Sequence, residues 1–263
     1  MLTVVLGKYP PPLTEMLKDA HGRRKAVLDL GCGTGAWLAD IVTDFPHVEA
    51  VGVDRKPPQI TTEVDDINLG LEHFYGKFDV VGARLISAGV KDYGGLVDQI
   101  SRILHSDGLA VICECDFHVY NEQLEAFPPL KSLTLCSPSL PTVARLLGYL
   151  RRCLQARGGH VDAAFFLRQW IDQHHAFREV VHRDVYIPLC PFMRGTSEDA
   201  RQQRSIAMYA REDASITSGR SLLLKSDLPK DQVDGLISQA RQELAECRTP
   251  CFMRLQCVYA RKC

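Results

Sequence analysis

The chain has 263 residues, 46% hydrophobic and 24% charged, enough to bury a sizeable core as one large domain or two small ones. Such a composition excludes disordered, collagen-like and coiled-coil classes. With 31 Lys plus Arg against 32 Asp plus Glu the net charge is −1, so no global positive field draws the chain onto nucleic acid or anionic lipid, and neither is an expected partner.

Met1 to Gly7 lacks the length and basic flank of a signal peptide, and no apolar run reaches about 18 residues, so a soluble, cytoplasmic protein with no membrane contact is expected. Arg23-Arg24-Lys25 reads as a solvated entry to the strand that follows. Ala26-Val27-Leu28-Asp29-Leu30 is a short, mostly apolar run that stops at Gly31, a buried first strand. Ala36 to Val42 has helical spacing and Pro46 closes it. A second strand, Val48 to Val53, ends at Asp54. Phe78–Ala83 and Leu109–Cys113 are further strands, with the amphipathic stretch Leu96 to Leu104 between them. Strand and helix thus alternate, which predicts an α/β fold with a doubly wound, mostly parallel sheet.

Beyond Asp116 the rhythm changes. A loop with Pro128-Pro129, Pro138 and Pro141 leads into Val143, Leu146, Leu147, Leu150 and Leu154, which share one helical face, and a second helix runs from Ala163 to about His174. Residues 117–176 read as a helical insertion after the fifth strand, a cap within a single domain covering 1–263. A strand at Val180–Ile187, helices near Asp199–Arg211 and Asp231–Glu246, and a last strand at Phe252–Ala260 complete the order. The ten cysteines include no Cys-x-x-Cys; even Cys113 and Cys115 on one strand face, or Cys247 and Cys251 across a turn, read as reduced thiols used as small hydrophobes. His174, His175 and His182 lack metal-ligand spacing, and no metal is expected.

Val27 to Gly35 is the most informative stretch. Glycines 31, 33 and 35 after a buried strand let the backbone turn sharply and approach a ligand, and the helix beyond offers free N–H groups. A dinucleotide fingerprint wants G-x-G-x-x-G, whereas the spacing here is G-x-G-x-G, and Asp29 places an anion where a pyrophosphate would be unwelcome but an ammonium would suit. Asp54, 19 residues past Gly35 at the end of the second strand, can accept both hydroxyls of a ribose. No G-x-S-x-G elbow and no Walker motif is present.

On these residues the chain resembles the class I S-adenosylmethionine-dependent methyltransferases, whose Rossmann-like sheet has seven strands. Val27 to Gly35 matches their D-x-G-x-G-x-G motif, Val51-Gly52-Val53-Asp54 their acidic second motif, and Glu63 to Ile67 the segment that meets adenine. Over most of its length the chain is similar to the fungal methyltransferases associated with secondary metabolism. The strand ending in Arg84, then Ile187-Pro188-Leu189, then Tyr259-Ala260-Arg261-Lys262 follow their order. Against that pattern, only about twenty-five residues precede the first strand, and Pro191-Phe192 stands where a tryptophan is expected.

The resemblance implies S-adenosylmethionine as cofactor. Asp29, Gly31, Cys32, Gly33 and Gly35 would line its methionine and ribose part, and Asp54 would hold the ribose hydroxyls. Asp65 or Asp66, with Asp66 preferred, would meet the adenine amine, with Ile67 on the ring. Arg84 and Leu85 fall where methyl donor meets acceptor, Arg84 being either functional or an ion-pair partner. Methyl transfer is an in-line displacement that needs a base mainly for a hydroxyl or a protonated amine, and His118 is the nearest histidine in sequence, ahead of His174 and His175. Phe117, Tyr120, Phe127, Phe165, Phe166 and Trp170 form either an apolar acceptor pocket or the core of the insertion. The expected function is methyl transfer to a small-molecule acceptor in secondary metabolism; the alternative is a catalytically silent relative acting as a regulatory or interaction partner.

Overall fold

Ala26–Leu30 forms strand β1, four of its five residues buried, as a run with no polar alternation requires when both faces are covered. The computed structural model describes residues 7–18, 23–54, 62–129, 140–190, 214–226, 228–247 and 249–263. Before β1 lies helix α1 (Pro11–Leu17), which starts on proline, where the missing N–H costs no intrahelical bond. After it come α2 (Ala36–Asp44), β2 (Glu49–Asp54), β3 (Thr62–Val64), β4 (Phe78–Arg84) and α3 (Tyr93–Ile103). The chain continues through β5 (Leu104–Tyr120), α4 (Thr142–Ala156), α5 (Ala163–Asp172), β6 (Phe177–Pro188), α6 (Ala214–Leu223), α7 (Lys230–Glu246) and β7 (Phe252–Lys262).

Seven strands make one sheet in the order β3-β2-β1-β4-β5-β7-β6. β1 pairs in parallel with β2 and β4, β2 with β3, and β4 with β5. This is the Rossmann-like, doubly wound order, and it reverses direction at β1, so the C-terminal ends of β1, β2 and β4 meet where such sheets hold ligands.

The chain divides into two compact units. The first, Lys8–Glu114 with Asp162–Asp184 and Gln256–Cys263, carries the sheet and a core built on Leu28, Leu30, Val81, Ile100, Ile112 and Leu167. The second takes the described residues of the stretches 115–161 and 185–255. In it α4, α6 and α7 pack together through Leu146, Leu150, Leu223, Leu236 and Leu244.

Several elements differ from the sequence reading. Strand β5 is far longer than Leu109–Cys113: it starts at Leu104, shifts register against β4 across the exposed Ser106 and Asp107, and runs on past the buried Asp116 to Tyr120. Helix α6 is absent from the sequence reading, and the helix expected at Asp199–Arg211 lies outside the described residues, as do Pro138 and Pro191-Phe192. The two helices of the expected 117–176 insertion fall in different units: α4 in the second, α5 with the sheet, where Trp170 stacks on Tyr93 at 5.9 Å. The basic run before β1 also does more than face water. Arg23 and Lys25 reach the buried Asp79 on β4 at 3.1 and 3.4 Å, and the Ala26 N–H donates to the same carboxylate at 2.8 Å. Among the described residues no helix is long and apolar enough to cross a membrane.

Candidate functional site

At the end of β1 the backbone turns through Gly31, Gly33 and Gly35, all with positive φ (68°, 55° and 72°). Left-handed backbone of this kind is readily available only to glycine. Gly31 carries a second constraint, since a Cβ there would run into Ile86 Cγ2. The loop is tied to β2 by main-chain bonds: the Gly31 and Cys32 N–H groups both donate to Val53 O, at 2.7 and 3.0 Å. Gly33 N donates to Asp54 Oδ2 at 3.0 Å, which holds that carboxylate against the loop.

A cavity of about 330 Å³ opens here. Gly31, Gly33 and Asp54 form one wall, Asp65 to Asn68 a second, and Leu85, Ile86 and Ala88 to Val90 a third. Three carboxylates, the Asn68 amide and two left-handed glycines beside the apolar Ile67, Leu85, Ile86 and Val90 suit a ligand that carries hydroxyls, amines or a positive charge. Asp66 Oδ1 accepts from Asn68 N and Nδ2 at 3.0 and 2.8 Å, while Asp65 accepts from the Asp66 N–H and lies 3.3 Å from His73 Nε2.

The structure therefore brings Gly31, Gly33, Asp54, Asp65, Asp66, Ile67 and Leu85 to one cavity. It places the other sequence candidates elsewhere. Asp29 is 1% exposed and receives Arg84 Nη2 at 3.0 Å, and the Arg84 guanidinium lies 4.2 Å over the Trp37 ring. Gly82 makes room for this stack, since a Cβ there would come within 2.8 Å of Trp37 and 3.0 Å of Asp29 Oδ1. Burial pushes Asp29 up to about 6, against the pull of Arg84. Arg84 is thus an ion-pair partner that β4 delivers to β1. Gly35 starts α2. Cys32 packs toward Gly52 on β2, and burial raises its thiol to about 11, with Asp29 and Asp54 adding to the effect.

His118 belongs to the second unit. Its Nδ1 lies 2.8 Å from Asp116 O, and since a carbonyl only accepts, Nδ1 is the donor in that contact. It lines a small cavity of about 50 Å³ with Phe117, Phe127, Arg151 and Arg152. Asp116 beside it is buried, accepting from Tyr120 Oη and, at 2.9 Å, from Arg254 Nε. Of the expected aromatic set, Phe117, Tyr120 and Phe127 are in this unit, whereas Phe165, Phe166 and Trp170 are on α5, with Phe165 and Phe166 each 44% exposed. His174 and His182 face Asp98 and Asp172, and among the described residues no group of three or more His, Cys, Asp or Glu could hold a metal ion.

Asn68, Ile86, Ala88, Gly89 and Val90 are lining residues that sequence reasoning missed. Asp66-x-Asn68, an Asx-type cap on the single turn Ile67–Leu69, is the signal that could have marked the first of them.

The profile of a family described as a methyltransferase domain matches residues 6–174. The Coprinopsis cinerea protein named secondary metabolism regulator laeA is 42% identical over 265 residues, covering 97% of this chain and 63% of its own length, so the chain spans less than two thirds of that relative. Methyltransferase str2 of Strobilurus tenacellus is 24% identical over 247 residues, 88% of this chain and 81% of that protein. Among solved structures, Haemonchus contortus phosphoethanolamine N-methyltransferase 2 superposes with a TM-score of 0.51 at 16% identity, over 97% of this chain and 53% of that one, a likeness of fold.

Proposed function

This chain belongs to the methyltransferase-domain family, and on that premise we propose that it is an S-adenosylmethionine-dependent methyltransferase acting on a small-molecule acceptor in secondary metabolism. The observation that carries the reading is the cavity in which Gly31, Gly33 and Asp54 face Asp65, Asp66 and Ile67. Its residues fit the cofactor: Gly31 and Gly33 line the cavity with bare backbone, Asp54 is held by Gly33 N for a ribose, and the acidic 65–66 pair would meet an amino-purine. The Haemonchus structure was solved with S-adenosylhomocysteine, which agrees with this choice.

When bound, the cofactor supplies an electrophilic methyl on a sulfonium with a good leaving group. The chain's own part is to bind and orient. Asp54 accepts from ribose hydroxyls, Asp66 from the exocyclic amine, Ile67 covers the ring, and the acidic rim favours the cationic donor over its neutral product. Arg84 pairs with Asp29, neutralising a carboxylate at the end of β1, beside the cavity-lining Leu85. His118 is the candidate base for an acceptor hydroxyl or ammonium. Residues 117–176 would serve as the cap of a single methyltransferase domain spanning 1–263, acting in the cytoplasm without nucleic acid or membrane.

A second reading follows from the regulator name of the Coprinopsis relative: a cofactor-binding protein that acts through partners. Calorimetric titration separates the readings. S-adenosylmethionine and S-adenosylhomocysteine should bind with micromolar affinity, and Asp54→Ala should abolish it; tight NAD binding instead would sink both. Release of S-adenosylhomocysteine with candidate acceptors then marks the enzyme, and tight binding without turnover across a broad panel favours the partner reading.

A further inference from the structure

The third wall of the cavity, Ile86 to Val90, belongs to a turn that leaves β4, and side chains from elsewhere in the fold hold it at both ends. At its start the buried Glu114 on β5 accepts on Oε1 from Ile86 N at 2.9 Å, Ser87 N at 3.2 Å and Tyr93 Oη at 2.8 Å. At its other end stands Asn68. Asn68 Nδ2 donates to Gly89 O at 2.9 Å and to Asp66 Oδ1 at 2.8 Å, and Asn68 Oδ1 accepts from Lys91 N at 2.9 Å. One side-chain amide therefore joins two walls of the cavity, the 65–68 segment and the 89–91 turn.

We propose that Asn68 is a positioning residue of the cofactor pocket, a cross-brace that sets the width of the slot between Ile67 and Val90 and orients the Asp66 carboxylate. The proposal rests on the reading of this cavity as the cofactor site. Only an amide serves all three contacts, because two donors are needed toward Gly89 and Asp66 while an acceptor is needed toward Lys91. An aspartate would keep the Lys91 bond but set a carboxylate against Asp66 and against the Gly89 carbonyl, with no donor for either. The Gly89 and Lys91 bonds lie at the exposed edge of the fold, so they contribute little to global stability. Their effect is on the shape of the slot.

The test uses the full chain with Asn68→Ala and Asn68→Asp, read by S-adenosylhomocysteine calorimetry, by amide exchange over residues 86–91 without ligand, and by melting temperature. Asn68→Ala should weaken binding about tenfold and Asn68→Asp by more than that, since charge repulsion adds to lost bonds. Ligand-free exchange over 86–91 should quicken in both, with melting temperatures within about 2 °C of the parent. Unchanged exchange in Asn68→Ala overturns the brace, and so does an Asn68→Asp protein that binds like the parent. If the parent itself fails to bind S-adenosylhomocysteine, the functional reading falls, while the exchange measurement still decides whether Asn68 joins the two walls.

Discussion

Two walls of the same cavity are held by different means. The glycine loop is tied by main chain to main chain, Gly31 N and Cys32 N to Val53 O and Gly35 N to Cys32 O, with a single side chain, Asp54, added. By contrast, the Ile86–Val90 turn depends on side chains delivered from other elements, Glu114 from β5 and Asn68 from the segment after β3. Positive φ at Gly31, Gly33 and Gly35 makes those positions of the first wall unfavourable for any residue but glycine. The third wall, held by side chains, is adjustable, and it is where affinity and pH response can be tuned without disturbing the sheet.

Gly31→Ala should have the largest effect, because it strains the first wall at φ +68° and drives a methyl into Ile86 of the third. A loss of about 2–4 kcal/mol in stability is expected, with S-adenosylhomocysteine binding weakened more than about 100-fold, measured by chemical unfolding and calorimetry. A parent-like protein would show that the loop can shift.

Arg84→Met tests the structural role of the arginine. Leaving Asp29 buried without its partner should cost about 3 kcal/mol at pH 8. The loss should shrink near pH 5, where the already raised Asp29 carboxyl takes up a proton. Adding Asp29→Asn should recover most of the stability at pH 8. If the double variant is as unstable as the single, the arginine matters by packing on Trp37 instead.

Glu114→Gln probes the anchor of the adjustable wall. Burial pushes Glu114 up to about 7 from an ordinary 4.5, against the pull of Tyr93, Ser87 and Ile86. The folded state therefore holds the proton more tightly than the unfolded chain. That contribution to stability is complete below pH 4.5 and is lost as pH rises through about 7. The difference in unfolding free energy, parent minus variant, should fall by on the order of 3 kcal/mol between pH 4.5 and about 8. A difference that stays flat across this range refutes the assignment.

Cys32→Ala should do least. The thiol packs toward Gly52, away from the cavity lining, and burial raises it to about 11. Affinity should change less than about twofold, and alkylation of Cys32 at pH 8 should be slow because little thiolate is present. Rapid loss of binding on alkylation at Cys32 would place the sulfur at the ligand after all.

Much of the first wall is legible in the sequence. Ala26–Leu30 is read with the bounds that the structure shows, and Asp54 is placed at the end of β2. These are local properties: an apolar run long enough for a buried strand, glycines where φ must be positive, and an acid where the strand stops. The third wall has no such signature. Tyr93 and Ile86 meet Glu114 across 21 and 28 residues, and Arg84 meets Asp29 across 55. No spacing rule distinguishes the arginine that completes an ion pair from one that faces a substrate. Asp79 shows the same limit, since three residues at the entry to β1 converge on it only because β4 lies beside β1. Periodicity and motif spacing thus determined the alternation of strands and helices, the glycine loop and Asp54, while Asp65 and Asp66 were marked by the family resemblance. Which carboxylates face the cavity, which are buried under an arginine, and what holds the Ile86–Val90 turn were decided by tertiary structure alone. Burial and ion pairing are set by neighbours that sequence distance does not record.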